Sequence, residues 1–484
     1  MIFVDFARQN PALLLTLLVS FSVYSLVHHY RSPLRKVPPG PRGWPLIGNA
    51  LDLGGPQLWL KLTEWRETYG DIIYLNAAGQ PVVILNSPKA AAGLLDKRAG
   101  NTSNRPRNIV GSEMLTGGLF MPLKSPSDVW RRMRHATHEE LSKSSSTAYQ
   151  PSQMAESVSL ALDLLRSPSQ WLLNIQRANG AFIINLLFGS NPDTSDIDTR
   201  IAAINDFTKR LTIALLPGSH LVEFFPWMKY IPARFAEWKR AALNSFKTDS
   251  VTFERMTAPV YAGLARGEEP SSLLGRISKD PGRYNLSLGE SSWIAVAMYA
   301  AGAETTTSIM AWWMQAMVLH PDAQVRAQAE LDAVVGRARV PTFTDYEHLP
   351  YIRAMAKEAL RWRPVVPLGV PHASRADDYY EGHFIPANSL IIANVWLLNR
   401  DPGVWGPDAM EFKPERHLDD HEKRVGPQEA KEEGHFTYGF GRRVCVGKHV
   451  ANVRITPVVL TISSGGLIRF GVMRCRIHCL SRWR

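Results

Sequence analysis

Ten residues, Tyr438-Gly-Phe-Gly-Arg-Arg-Val-Cys-Val-Gly447, set one cysteine among three glycines and two arginines. Gly439 and Gly441 permit backbone paths that a side chain would forbid, and Gly447 leaves room for something bulky and flat beside the chain. From Val446 onward the sequence reads as a helix start. Cys445 then sits where free N–H groups and the positive helix end favour a thiolate. Such a thiolate suits one axial site of a haem iron, with N–H···S bonds tuning its donor strength. Arg443, two residues before the sulfur, can pair with a haem carboxylate. By itself the segment reads more readily as a glycine-rich turn around a small buried cysteine. The other chemistry-bearing residues decide between the two.

The stretch from Ser292 to Met317 is a long apolar helix, and apolar residues surround it, so it should run buried through the domain. Into it fall Gly302, Glu304 and Thr305. A buried acid is costly without a partner or a task. Thr305 can bond back to the carbonyl of Ala301 and open the helix locally, and Gly302 eases the same distortion. The functional reading is an oxygen-binding notch in which Thr305 donates to dioxygen and Glu304 feeds protons from water. Trp130 and Arg134 are four apart and share a helix face, as do Glu358 and Arg361 at three apart. The first pair can hold a haem carboxylate or lie on a surface helix. The second is, alone, a common pattern of solvated helices.

These residues need elements to position them. Residues 70–86 read as two β-branched strands broken at 77–80, and further strands are expected at 379–385 and 390–393. Residues 104–127 read as a long loop of the kind that lines binding sites, 142–153 as a polar loop, and 155–255 as mostly helix. Prolines exclude helix from Pro364 to His372. In front of this body, 1–10 reads as a lumenal N-terminus and 11–27, seventeen residues without a charge, as a transmembrane anchor. It is a little short of the ~20 residues of a full span. His28, His29, Arg31, Arg35 and Lys36 behind it point to a cytosolic body on the endoplasmic reticulum. Residues 28–50 form a proline-rich hinge and 51–484 the main domain.

Composition agrees with a globular body: 484 residues with 45% hydrophobic content and a mean hydropathy of −0.14. Three cysteines make no disulfide framework. A net charge of +11 suits anionic lipid headgroups or an acidic protein partner. No zinc-finger spacing or dense basic run points to nucleic acid.

Taken together, the set resembles the cytochrome P-450 family of haem-thiolate monooxygenases, from about Pro38 to Asn452. The family's cysteine pattern, Phe-x-x-Gly-x-Arg-x-Cys-x-Gly, is matched by Tyr438, Gly441, Arg443, Cys445 and Gly447, with tyrosine in place of phenylalanine. Ala301 to Thr305 matches its oxygen-activating motif. Glu358 and Arg361 match its helix pair, with Arg416 as third member, and His417 stands where the family usually has phenylalanine. Trp130, Arg134 and His372 fall where the family contacts the haem propionates. The resemblance implies a mainly α fold with a smaller β-rich part, preceded by one transmembrane helix. It also implies haem b bound between the central helix and the cysteine loop. Electrons would come from NADPH through a flavoprotein reductase docked near Arg131, Arg132, Arg442 and Lys448. The substrate would be a hydrophobic small molecule, a secondary metabolite or polycyclic aromatic xenobiotic as for fungal, basidiomycete members.

The resemblance breaks in the tail, 453–484. Pro457 interrupts the expected helix, Thr461 to Gly466 is soft, and the rest is basic and unpatterned. Cys475, His478 and Cys479 lack the matched second pair of a zinc site. The alternative reading is therefore a haem-binding but inactive or misfolded product. Deleting residues 1–30 should release much of the protein from membranes; truncated and full-length chains that pellet alike would contradict the anchor.

Overall fold

The computed structural model describes residues 31–189, 194–216, 218–418 and 433–452, with Thr16 and Ser20. Apart from Thr16 and Ser20, the anchor expected at 11–27 lies outside the described residues, as does the tail 453–484. Among the described residues no helix is long and apolar enough to cross a membrane.

Helix α1 (Leu58–Tyr69) leads into strands β1 (Ile72–Ala77) and β2 (Gln80–Leu85). Ala78 and Gly79 both take positive φ (51° and 92°), the geometry that two-residue hairpin turns demand. The helical body follows: α2 (Asp128–Glu140), α3 (Gln150–Arg166), α4 (Trp171–Phe188), α5 (Thr194–Leu215), α6 (Glu237–Ala265), α7 (Leu273–Lys279), α8 (Leu288–Leu319), α9 (Pro321–Val334) and α10 (Pro350–Trp362). Strands β3 (His372–Ala373), β4 (Asp378–Tyr380), β5 (His383–Ile385) and β6 (Leu390–Ala393) come last. One sheet has the order β1-β2-β6-β3, with β2 and β6 parallel, and β4–β5 form a separate hairpin. The fold is thus mainly helical with a small β part.

Three local readings are corrected. Residues 142–153 are not a loop. The Ser142 side chain accepts from Ser145 N–H and starts a short helix, Lys143–Ser146, and α3 already begins at Gln150 with Pro151 in its first turn. The expected strand at 379–385 is a hairpin, because Glu381 and Gly382 take φ of 50° and 82°. His372–Ala373, where only the absence of helix was expected, pairs with β6.

Helix α8 begins earlier than its apolar run. Ser287 and Glu290 close a capping box that satisfies the first N–H groups. Its N-terminal half carries Trp293, enclosed by Phe207, Phe246 and Phe253 with centroids 5.3–5.7 Å away. Helix α4 crosses it closely. A Cβ on Gly302 would sit 3.0 Å from Ile183 Cδ1, so this glycine serves helix packing. The hinge does not merely link: Pro39 O accepts Tyr74 N–H at 3.0 Å, and Gly40 passes the Tyr74 carbonyl so closely that a Cβ would clash.

Behind the sheet, Glu358 on α10 is fully buried and accepts five hydrogen bonds. Arg361 binds it through two nitrogens at 2.7 Å each, Arg416 Nε at 3.0 Å, Lys413 N–H at 2.8 Å and His417 Nε2 at 2.9 Å. Burial alone would raise its pKa, but Arg361 and His417 hold it down at about 2. Arg361 also binds the carbonyls of Asn399, Ala409 and Glu411, which ties α10 to the irregular segment ahead of the cysteine loop. Removing one partner of such a cluster leaves buried charge behind. Glu358→Gln should lower stability by about 3–5 kcal/mol, and His417→Phe by about 1 kcal/mol. Thermal unfolding checks both; a near-neutral Glu358→Gln would contradict the cluster's role.

Candidate functional site

The cysteine loop folds over the end of a short helix, Ala92–Asp96. Gly441 has φ +54°, and a Cβ there would lie 2.2 Å from the Leu95 carbonyl oxygen, so only glycine seats the loop. Asp96 Oδ1 accepts Gly441 N–H at 2.5 Å. Cys445 N–H donates to the Tyr438 carbonyl at 2.8 Å, and the chain enters helix at 448. Cys445 is free and open to solvent although protein surrounds it, as for a side chain facing an internal cleft. Burial raises the pKa of its thiol, against the backbone N–H of Gly447 and the charge of Arg134. The helix end is therefore present as expected, but it does not by itself make a thiolate. A metal ion at the sulfur would, since a coordinating thiol is deprotonated outright.

Beside the loop gather three guanidiniums that bind backbone carbonyls instead of acids. Arg134, on α2, donates to the Val444 carbonyl. Arg443 Nε reaches Ser103 O at 2.8 Å and its Nη2 reaches Lys124 O at 2.6 Å, while its guanidinium lies 4.3 Å from the centroid of Trp130. Trp130 and Arg134 thus do share a helix face, and that face meets the cysteine loop. Arg105 donates to Pro122 O (2.9 Å), Val370 O (2.7 Å) and Pro371 O (2.6 Å). His372 lies beside it with Nδ1 2.8 Å from Thr102 O. Among the described residues no acid pairs with Arg105, Arg134 or Arg443. Burial and mutual repulsion pull Arg105 down to about 10 and Arg443 down to about 9, and they hold His372 at about 3.

Arg105 escaped the sequence reading. Its signal was only its place in the 104–127 loop, and what selects it is the carbonyls brought to it from 370 and 371.

Helix α8 supplies the other candidates. Thr305 Oγ1 donates to Ala301 O at 2.6 Å, as expected, yet the helix remains α-helical throughout. Ala301 and Glu304 are exposed and Thr305 is half-buried, whereas Ala303, Thr306 and Thr307 are buried. The helix is therefore not enclosed on all sides, and Glu304 avoids the cost of burial by facing solvent. The proximal basic residues are less free than expected. Arg131 pairs with Asp128, Arg132 with Glu290 at 2.7 Å, and Lys448 with Glu433 at 3.0 Å.

These residues fit a flat cofactor carrying two carboxylates and a metal. Half-buried cations without a counter-charge call for anions, and the only thiol among the described residues opens toward solvent beside them. The fold recurs in solved structures. A zebra fish cytochrome P-450 solved with progesterone aligns with TM-score 0.67 at 24% identity over 86% of this chain and 92% of that one. A second, solved with abiraterone, gives 0.64 at 24% identity over 84% and 90%.

The sequence places the protein within that fold. The Cytochrome P-450 family model matches residues 38–462, reaching past Asn452 into the stretch set apart as an atypical tail. A cytochrome P-450 monooxygenase of Armillaria gallica is 54% identical over 444 residues, covering 92% of this chain and 85% of its own. One from Postia placenta is 44% identical (86% and 79%), and iboC of Amanita muscaria is 35% identical (86% and 82%). The chain belongs to the cytochrome P-450 family of monooxygenases, oxidoreductases that bind haem b through a cysteine thiolate.

The site also carries a pH dependence. His435, ahead of the loop, is held at about 3 by burial and by His417, Lys357 and Arg361, with Glu358 opposing. The unfolded chain protonates such imidazoles near pH 6.5; the folded chain does not until about 3 for His372 and His435. Stability is then intact above pH 6.5 and lost as pH falls between those limits. His435→Asn keeps an acceptor for Thr437 N–H. It should remove about 2 kcal/mol of the loss accumulated by pH 5. Urea midpoints at pH 7 and 5 test this; an unchanged slope would contradict it.

Proposed function

We propose that this chain is a haem-thiolate monooxygenase that inserts one atom of dioxygen into a hydrophobic small molecule, with Cys445 as the iron ligand. The observation that carries the reading is the carboxylate-free cluster of Arg105, Arg134, Arg443 and His372 beside the open Cys445 thiol. When bound, haem supplies the iron at which dioxygen is activated. Arg105, Arg134 and Arg443 would hold its two carboxylates, with Trp130 stacked on Arg443 to fix that guanidinium. Burial, and then repulsion from Arg105 and Arg443, keeps His372 neutral; a carboxylate placed there would oppose the repulsion and favour a proton on its Nε2.

Cys445 presents its sulfur, and the Gly447 N–H favours negative charge on it against the effect of burial. Thr305 Oγ1 holds a proton on the wall of α8. Glu304, open to solvent, exchanges protons with water and returns them along that wall. Val366 and Val370 are exposed apolar residues, and the Val370 carbonyl is bound to Arg105, which supports an apolar substrate next to the cofactor. Secondary metabolites and polycyclic aromatic xenobiotics are the classes proposed.

Electrons are proposed to come from NADPH through a flavoprotein reductase, with Arg442 the exposed cation of the cysteine loop. Membrane lipid and the endoplasmic reticulum remain the proposed setting. The uncharged run 11–27 supports it, as do exposed Phe224, Phe225, Trp227, Tyr230 and Phe235 in one segment.

Replacing Thr305 by Ala should leave haem bound but lower the yield of product per NADPH by about 10-fold or more. Product and peroxide are measured with a co-expressed reductase. Unchanged coupling would remove Thr305 from the mechanism, and no NADPH use by the unaltered chain would favour the haem-binding, inactive alternative.

A further inference from the structure

Tyr438 departs from the family pattern by a hydroxyl, and that hydroxyl has a partner. It donates to Asn452 Oδ1 at 2.6 Å. Asn452 Nδ2 donates to Glu433 Oε2 at 2.6 Å, and Glu433 Oε1 pairs with Lys448 Nζ at 3.0 Å. The carbonyl of the same tyrosine accepts Cys445 N–H at 2.8 Å. These side chains therefore lace together the start, the middle and the end of the segment that carries Cys445. Glu433 and Lys448 retain only 13% and 19% of their side-chain exposure, so solvent screens their charges less than on an open surface.

We propose that Tyr438, Asn452 and Glu433 form a positioning relay that keeps Cys445 seated as iron ligand and sets the charge the iron experiences. This rests on the assignment of Cys445 above. The hydroxyl fixes the ring and carbonyl of Tyr438 together, and that carbonyl holds the Cys445 N–H. Without the hydroxyl, Asn452 loses that donor to its carbonyl oxygen, and the helix after the cysteine loses one of its ties to the segment before it. The Glu433 carboxylate lies on the sulfur side, where it acts on Cys445 in the opposite sense to Arg134 and Lys448. Reduction adds one negative charge at the iron. A fixed carboxylate nearby therefore holds the reduction potential down, and Lys448 offsets part of that effect.

The test uses full-length, haem-loaded protein. Two properties are read: the rate at which the reduced, carbon monoxide-bound form loses its thiolate-type Soret band on mild heating, and the ferric–ferrous midpoint potential. Y438F keeps the ring and restores the family residue, so it should fold. It and N452A should each speed the loss about fivefold, and the double variant should be no faster than the singles. E433Q should raise the potential, and E433D should move it less. Wild-type decay in Y438F, multiplied effects in the double variant, or an unmoved potential in E433Q would each overturn the relay while leaving the ligand assignment intact. Absence of the thiolate band from the unaltered chain would overturn both.

Discussion

Three guanidiniums, Arg105, Arg134 and Arg443, lie half-buried next to one another, and among the described residues no acid pairs with them. Withdrawing like charges even partly from water without a counter-charge is costly. Backbone carbonyls from 102–124, 370–371 and 444 soften that cost but cannot cancel it. This arrangement supports the proposal that negative charge from outside the chain completes the site. Much of the architecture follows from this. Helix α2 delivers Arg134 and Trp130, the 104–127 loop delivers Arg105, β3 places His372, and the cysteine loop carries Arg443 and the sulfur to the same spot.

Helix α10 solves the opposite problem. It buries a carboxylate, Glu358, and surrounds it with donors from the segment that precedes the cysteine loop. His417, in the place of an apolar family residue, becomes one of those donors. Tyr438 behaves in the same way. At both departures the added polar atom meets a hydrogen-bond partner near the loop. The substitutions therefore add polar links without leaving a buried group unmatched, the condition under which a polar network strengthens a core.

Much of this was readable from residues alone. The glycine spacing around Cys445 and the strand break within 77–80 are local signals, and local geometry enforces them. Arg105 was missed because its role depends on carbonyls more than 260 positions away. The helix at 143–146 was missed because serines disfavour helix interiors, yet Ser142 at the cap reverses their effect. Glu304 was read as buried because every face of α8 is apolar in sequence; only the packing shows that one side is left open. Long-range convergence and accessibility, not local conformation, are what a single chain conceals.

The account stands or falls on what binds to Cys445. The absorption spectrum of the reduced, carbon monoxide-bound protein, purified at full length, reports that ligand. The account predicts a Soret band at the position of thiolate-ligated haem, lost when Cys445 is replaced by alanine. A colourless protein, a band at the position of imidazole-ligated haem, or a thiolate band that survives the loss of Cys445 would contradict it.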